Sequence, residues 1–297
     1  MRRGAPRDDK TSPGPGGRRC CAARSRRRYR STSHPQGLVR RLVPTQGQGC
    51  RRRTPPLTAM REVHEETGAV VRLGVRLPTI RYKVSKGTKA VEYWRAEMVE
   101  QHRREPDAEV DKVKWFPVDR AMERMTYADE RRVLSAALLI PPTTPLIIVR
   151  HGKAMLRKDW DGPDQMRRLT GRGRRQAQEL SQLLMAYGVD ALVSSSSTRC
   201  METLRPYSEA AAIPIYAEDV LTEEEGTVKP KHVRAYVAAL FKTLDAPTAI
   251  CGHRPVLPMM FQGVGLEPKS MVVGESVVVH RDEHGNRVAV EVHKPRA

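Results

Sequence analysis

Three short apolar runs constrain this chain most: LIIV at 146–149, ALVSS at 191–195 and TAICG at 248–252. Each is long enough for a strand buried on both faces and too short for a buried helix. Between them lie patterns of helical period, RRLTGRGRRQAQELSQLLMAYG, STRCMETLRPYSEAA and KPKHVRAYVAALFKTL, and ESVVVHRDEHGNRVAVEVH closes the chain as a hairpin around Asn286. Strands alternating with helices predict a mainly parallel sheet with helices on both faces.

Upstream, IPPTTP at 140–145 places three prolines in six residues and reads as a domain linker. Residues 57–139 have their own texture. LTAMREVHEETGAV puts Leu57, Met60 and Val63 on one helical stripe, with Gly68 where the helix stops. The strand-like pieces VRLGVRLPTIRYKV, AVEYWRAEMV and VDKVKWFPV follow, the first two parted by a turn at Lys86-Gly87, and DRAMERM and ADERRVLSAALL read as short helices.

The net charge of +19 over 297 residues is local. Residues 1–56 hold 16 Lys+Arg against two acids, while the remainder holds 37 against 32. Rich in Arg, Gly, Pro and Ser and without hydrophobic periodicity, 1–56 reads as disordered by composition. A solvated tail and a phosphate-binding arm are both compatible with it, although nucleic-acid polymer is disfavoured because aromatics are few and Lys10 is the only lysine. No run approaches the roughly 20 apolar residues that span a bilayer, and the apolar stretch of a secretory signal is missing, so a cytoplasmic location is expected. Five cysteines, Cys20, Cys21, Cys50, Cys200 and Cys251, have neither zinc nor disulfide spacing and are expected as reduced thiols.

REVHEETG at 61–68 places Glu62, Glu65 and Glu66 within one helical turn, where i, i+3 and i+4 share a face. A divalent cation relieves the repulsion, and hard oxygen donors suit Mg²⁺ or Mn²⁺. A bare EXXEE is more often a solvated acidic face. Here the longer string resembles the second half of the Nudix box, REUXEEXGU, through Arg61, Glu62, Val63, Glu65, Glu66 and Gly68, with Ala69 as a weak aliphatic. The resemblance implies that Glu62, Glu65 and Glu66 hold the metal and that Arg61 orients a glutamate, with Glu109 as a further candidate ligand or base. The first half of the box is missing: Gly47 is present, but Arg53 stands where a glutamate belongs, and the one or two strands expected ahead of the box are absent as well. Back-translated and read one nucleotide later, VRRLVPTQGQGCRRRT at 39–54 can give YDDWS, one variable residue, PKGK and, three residues later, GE with its glutamate at position 53, the phrase expected there. A shifted reading frame upstream of about residue 54 therefore competes with a native basic arm.

Arg150 and His151 end the first apolar run, Arg199 opens the helix after the second, and Gly252 and His253 end the third. Ligand sites of open parallel sheets lie beyond the carboxyl ends of the strands, so two histidines and two arginines are expected in one cleft. Arginine forks and a helix N-terminus bind phosphate, a neutral imidazole attacks phosphorus, and LTEEEG supplies Glu223, Glu224 and Glu225 as candidate acids on a loop. This half resembles the histidine phosphatase superfamily, the phosphoglycerate mutase-like fold with its RHG signature and an L-T-x-x-G-x-x-Q-A helix. That implies His151 as a nucleophile that becomes phosphohistidine, Arg150, Arg199 and His253 as the phosphate pocket, Glu223 as the acid with Glu224 as runner-up, and no metal.

The resemblances together imply a truncated Nudix α/β/α sandwich followed by a doubly wound α/β histidine phosphatase domain. Such a pairing is similar to the two-domain MutT-type proteins that hydrolyse 8-oxo-dGTP or diadenosine polyphosphates, with a nucleotide or another phosphorylated small molecule as substrate. The alternatives are a phosphatase with a vestigial Nudix remnant and, if the basic segment is native, a nucleic-acid-binding or scaffolding protein.

Overall fold

The computed structural model describes residues 37–43, 54–85, 87–105, 110 and 112–297. The first half is built on a three-stranded antiparallel sheet of order β1-β3-β2, made of β1 (Gly37–Val43), β2 (Ala69–Val84) and β3 (Gly87–Gln101). Helix α1 (Pro55–Thr67) precedes β2, and α2 (Val118–Arg124) and α3 (Ala128–Leu139) follow β3. Burial at every second residue of β2 marks one face at a time, and a register shift between Leu73 and Arg76 turns Leu77 to the opposite side, so both faces of the sheet are packed. One presents Val71, Leu73, Trp94 and Ala96 with Ala59 and Val63 of α1. The other presents Leu77, Val91 and Tyr93 to Val133 and Ala137 of α3. This is the expected α/β/α arrangement.

Several local expectations shift. Strand β1 lies inside the segment read as disordered and supplies a strand ahead of the box, because GLVRRLV carries four apolar residues that its arginine-rich flanks conceal in any longer window. The buried stripe of α1 is Pro56, Ala59, Val63 and Thr67, so Leu57 and Met60 are only partly covered. VDKVKWFPV forms no strand among the described residues. Pro117 can donate no ladder hydrogen bond, and α2 starts directly after it. Gly68 ends α1 at φ +72°, and a Cβ there would lie 2.6 Å from the His102 carbonyl oxygen, so a glycine is required on both counts.

The second half is a six-stranded sheet of order β6-β5-β7-β4-β8-β9. Strands β4 (Thr144–Arg150), β5 (Ala191–Ser194), β6 (Ile215–Ala217) and β7 (Thr248–Gly252) are parallel, and the hairpin of β8 (Ser276–Arg281) and β9 (Arg287–His293) adds antiparallel to β4. Strand β4 begins inside the proline-rich linker, with Pro145 opposite His280. Along β4, Ile147 and Val149 face a core with α4 (Gly171–Ala186) and α5 (Thr198–Ala211), while Leu146 and Ile148 face α7 (Pro230–Lys242) and α8 (Leu257–Gly263). The short helix α6 (Glu223–Val228) replaces the loop expected at LTEEEG, since the Thr222 hydroxyl accepts from the Glu225 amide and caps it. Among the described residues, no helix is long and apolar enough to cross a membrane.

The α1 face of the first sheet and the α4 face of the second belong to one hydrophobic cluster, in which Val71, Leu73 and Trp94 join Leu183, Leu184 and Tyr187. The carboxylate helix is thereby packed against the second half.

Candidate active site

The strand ends deliver the predicted constellation. His151 follows β4 and is 7% exposed, Arg199 lies in the first turn of α5 and is fully buried, and His253 follows β7, also fully buried. The His151 and His253 rings stand 5.2 Å apart. Two glycines let the chain after His151 lie close to α4: a Cβ on Gly173 would fall 2.2 Å from the Lys153 carbonyl oxygen, and one on Gly152 would fall 2.9 Å from that of Gly173. The glycine after the histidine and the glycine of the L-T-x-x-G string thus pack the loop that follows His151 onto the start of α4.

Hydrogen bonding fixes the tautomer of His151. Its Nδ1 lies 2.7 Å from the Gly152 carbonyl oxygen, which can only accept, so the proton sits on Nδ1 and Nε2 keeps its lone pair. Burial, with the charges of His253 and Arg199, pushes its pKa down to about 4 despite opposing effects of Cys200 and Gly152. The ring is neutral at pH 7. An unfolded chain would take up this proton near pH 6.5, so folding stability is expected to fall as pH drops from about 6.5 towards about 4. Urea midpoints at pH 7 and pH 5 check this. Equal midpoints would mean that His151 is not buried neutral.

Three guanidiniums, those of Arg199, Arg150 and Arg157, act on Glu223. Arg199 Nη1 donates to the Asp164 carbonyl at 2.7 Å, and its Nη2 lies 3.2 Å from Asp164 Oδ2 and 3.3 Å from Glu223 Oε1. Arg150 donates to the Met271 carbonyl, and Arg157 Nη2 donates to Glu223 Oε2 at 2.7 Å. The buried Nε atoms of Arg150 and Arg199 have no hydrogen-bond partner among the described residues. Buried donors left unpaired on cationic groups are costly unless an anion meets them, so these arginines are candidate donors to an oxyanion. His151, Glu223 and His253 offer donor atoms within 4.8 Å of one another, but this ring of guanidiniums opposes a second cation there and favours phosphate.

Glu223 occupies the place expected of an acid, with Oε1 3.5 Å from His253 Nδ1 and its side chain 20% exposed. Burial works to raise its pKa, but His253, Arg199 and Arg157 outweigh that and the net shift is downward. A bound phosphate dianion would oppose those cations and return the proton. Glu224 shares the first turn of α6, and no contact joins it to the pocket among the described residues. His253 Nε2 is held by Ser195 Oγ at 2.8 Å, and Cys200 Sγ lies 3.5 Å from the same nitrogen. Cys200 and Cys251 are free and buried.

Asp164, Arg157, Ser195 and Thr203, which accepts the Gly152 amide at 3.0 Å, were not singled out in the sequence. Asp164 and Arg157 belong to a loop without periodicity, and a serine among four gives no positional signal.

On α1, Glu62, Glu65 and Glu66 lie away from the buried stripe. Arg61 pairs with Glu62 at 3.3 Å and with Glu65, and Arg104 Nε caps the Glu65 carbonyl at 2.7 Å. The three carboxylates offer hard oxygens of the kind Mg²⁺ or Mn²⁺ takes, but the convergence expected from the sequence is not formed: with Glu62 and Glu65 both paired to Arg61, the three do not bring oxygens within 4.8 Å of one another among the described residues. Gly47, Arg53 and Glu109 lie outside the described residues.

The family model for the NUDIX domain matches residues 14–137, and that for the histidine phosphatase superfamily (branch 1) matches 146–242. The NUDIX match runs through the arginine-rich segment. The chain is 36% identical over 238 residues to the 8-oxo-(d)GTP phosphatase of Mycolicibacterium smegmatis, covering 80% of this chain and 70% of that protein. It is similar to the solved structure of the protein histidine phosphatase SixA complexed with tungstate, at 24% identity, covering 51% of this chain and 95% of that one, with a TM-score of 0.40. It is also similar to Bacillus stearothermophilus YhfR, at 22% identity, covering 50% and 96%, with a TM-score of 0.40.

Proposed function

Because the chain belongs to the family that joins a NUDIX domain to a histidine phosphatase domain, we propose that it hydrolyses nucleoside polyphosphates of the 8-oxo-dGTP or diadenosine polyphosphate type and removes phosphate through a phosphohistidine. The relative named 8-oxo-(d)GTP phosphatase supports the substrate class. The observation that carries the chemistry is the pair of unpartnered buried arginine nitrogens beside a neutral His151.

In the phosphatase half, Arg150, Arg199 and His253 hold the phosphoryl oxygens. The Nε2 lone pair of His151 forms the bond to phosphorus while the bond to the leaving oxygen breaks, and Glu223 gives that oxygen its proton. Water then attacks the phosphohistidine, Glu223 takes the water's proton, and His151 is released neutral. In the NUDIX half, Glu62, Glu65 and Glu66 are the residues that would hold Mg²⁺ or Mn²⁺. Bound there, such an ion would supply Lewis-acid neutralisation of phosphate charge and activation of a water, while Arg61 keeps Glu65 oriented. We place the protein in the cytoplasm, with small phosphorylated molecules rather than nucleic-acid polymers as partners.

Glu223→Gln is expected to slow turnover of poor leaving groups by about 10²-fold or more and that of nitrophenyl phosphate much less. A uniform loss across leaving groups would remove Glu223 from the acid's role. Glu65→Gln is expected to weaken Mn²⁺ binding measured by calorimetry about tenfold or more, while EDTA leaves phosphate-ester hydrolysis intact. Unchanged Mn²⁺ binding would reduce the helix to a solvated acidic face.

The reading in which the NUDIX half is impaired rests on Arg53 at the glutamate position of the box. It is tested by comparing Mg²⁺-dependent diphosphate hydrolysis by this chain and by its frame-restored counterpart. A gain in the restored chain supports it, and equal activity refutes it.

A further inference from the structure

Asp164 belongs to none of the motifs above, yet it touches both guanidiniums that touch Glu223. Its Oδ1 accepts from Arg157 Nε at 2.8 Å and from Arg167 Nε at 3.0 Å. Its carbonyl accepts from Arg199 Nη1 at 2.7 Å, and its Oδ2 lies 3.2 Å from Arg199 Nη2. The same two arginines reach Glu223, Arg157 at 2.7 Å and Arg199 at 3.3 Å. Two carboxylates therefore share two cations. The loop carrying Asp164 is closed at its base by the bridge between Ala154 and Leu169, and Arg167 ties it back to the Met155 carbonyl at 2.7 Å.

We propose that Asp164 is a positioning residue for the phosphatase reaction, fixing the Arg199 fork for the phosphoryl group and holding Arg157 so that its charge is divided between Asp164 and Glu223. The inference rests on the phosphatase reading given above. Its consequence is electrostatic. The charged and titratable groups facing Glu223 are His253 beyond β7, Arg199 on α5, Arg157 on the loop and Arg150 at the end of β4. Asp164 is the anion that offsets two of them. Burial would raise its own pKa, but hydrogen bonds from Arg157 and Arg167 and the charge of Arg199 hold it well below the usual carboxylate range, so this countercharge persists at working pH. Removing it leaves Glu223 facing undivided guanidiniums, which favours loss of its proton. The alkaline limb of the kcat profile, where Glu223 ceases to act as an acid, then moves to lower pH. Mere loosening of the loop does the opposite, since it withdraws Arg157 from Glu223 and moves the limb upward. The direction of the shift therefore separates a positioning role from a structural one.

The test uses the full chain in EDTA with a phosphate monoester of poor leaving group, comparing wild type, Asp164→Asn and Asp164→Glu, each confirmed folded by circular dichroism. Glu223→Gln identifies the alkaline limb by abolishing it. Asp164→Asn is expected to lower kcat/KM about tenfold or more, to shift the limb downward, and to weaken inorganic phosphate binding measured by calorimetry. Asp164→Glu is expected to restore the position of the limb. A limb that stays in place or moves upward in folded Asp164→Asn, or phosphate binding unchanged from wild type, overturns the inference. If wild type binds phosphate but shows no hydrolysis in EDTA, the phosphatase reading itself fails, and the assignment of Asp164 fails with it.

Discussion

Replacing His151 with alanine is expected to abolish metal-independent phosphate-ester hydrolysis, a loss of about a thousandfold or more, because the nucleophilic groups nearest to it among the described residues, Ser195 and Cys200, are engaged or buried. Ser195 Oγ is engaged by His253 Nε2 at 2.8 Å. Cys200 is fully buried behind the same ring. Since Arg150, Arg199 and His253 remain, the variant should still bind inorganic phosphate, which separates loss of the nucleophile from collapse of the pocket. Hydrolysis assayed in EDTA with phosphate binding measured in parallel checks both halves of the expectation. Undiminished turnover would end the assignment of His151.

The second large effect is expected at the joint between the two halves. Glu291 on β9 is buried and accepts from the Arg76 backbone amide of β2 at 2.9 Å, from Tyr187 Oη at 2.8 Å and from His280 Nε2 at 2.8 Å, with His293 Nε2 at 3.5 Å. Burial would raise its pKa, but hydrogen bonds and charge from His280 and His293 hold it well below the usual range. Glu291→Ala strands several buried donors at once and is expected to cost about 3–5 kcal/mol. The two halves share a core, so they should lose stability together in urea, followed by phosphatase activity and by Trp fluorescence. An unchanged midpoint would show that the halves are held independently of this carboxylate. The sign with pH follows from the lowered pKa. The stabilisation is complete above the ordinary glutamate value of about 4.3 and is lost as pH falls below it.

What was legible in the sequence was whatever repeats with a period or sits at a strand end. ADERRVLSAALL spans the observed α3, the apolar runs became β4, β5 and β7, and His151, Arg199 and His253 met because parallel strands point their carboxyl ends to one side. What escaped has no local signature. Strand β1 pairs through its backbone with β3, 47 or more residues further along the chain, and its seven residues are outweighed by neighbouring arginines. The dependence of α1 on α4 was hidden because TAMREVH shows only that one face is apolar, and nothing in it names the covering partner. Asp164 and Glu291 act through side chains brought together by the fold, where neither spacing nor composition can announce them.

The central claim is that phosphate passes through His151 without a metal. The most direct test is a rapid acid-free quench of the full chain in EDTA with phosphate-labelled substrate, followed by peptide mapping. The account predicts an acid-labile label on His151 that forms before product and is absent in His151→Ala. Turnover without any label on His151, or label and turnover that appear only when a divalent metal is supplied, would contradict it.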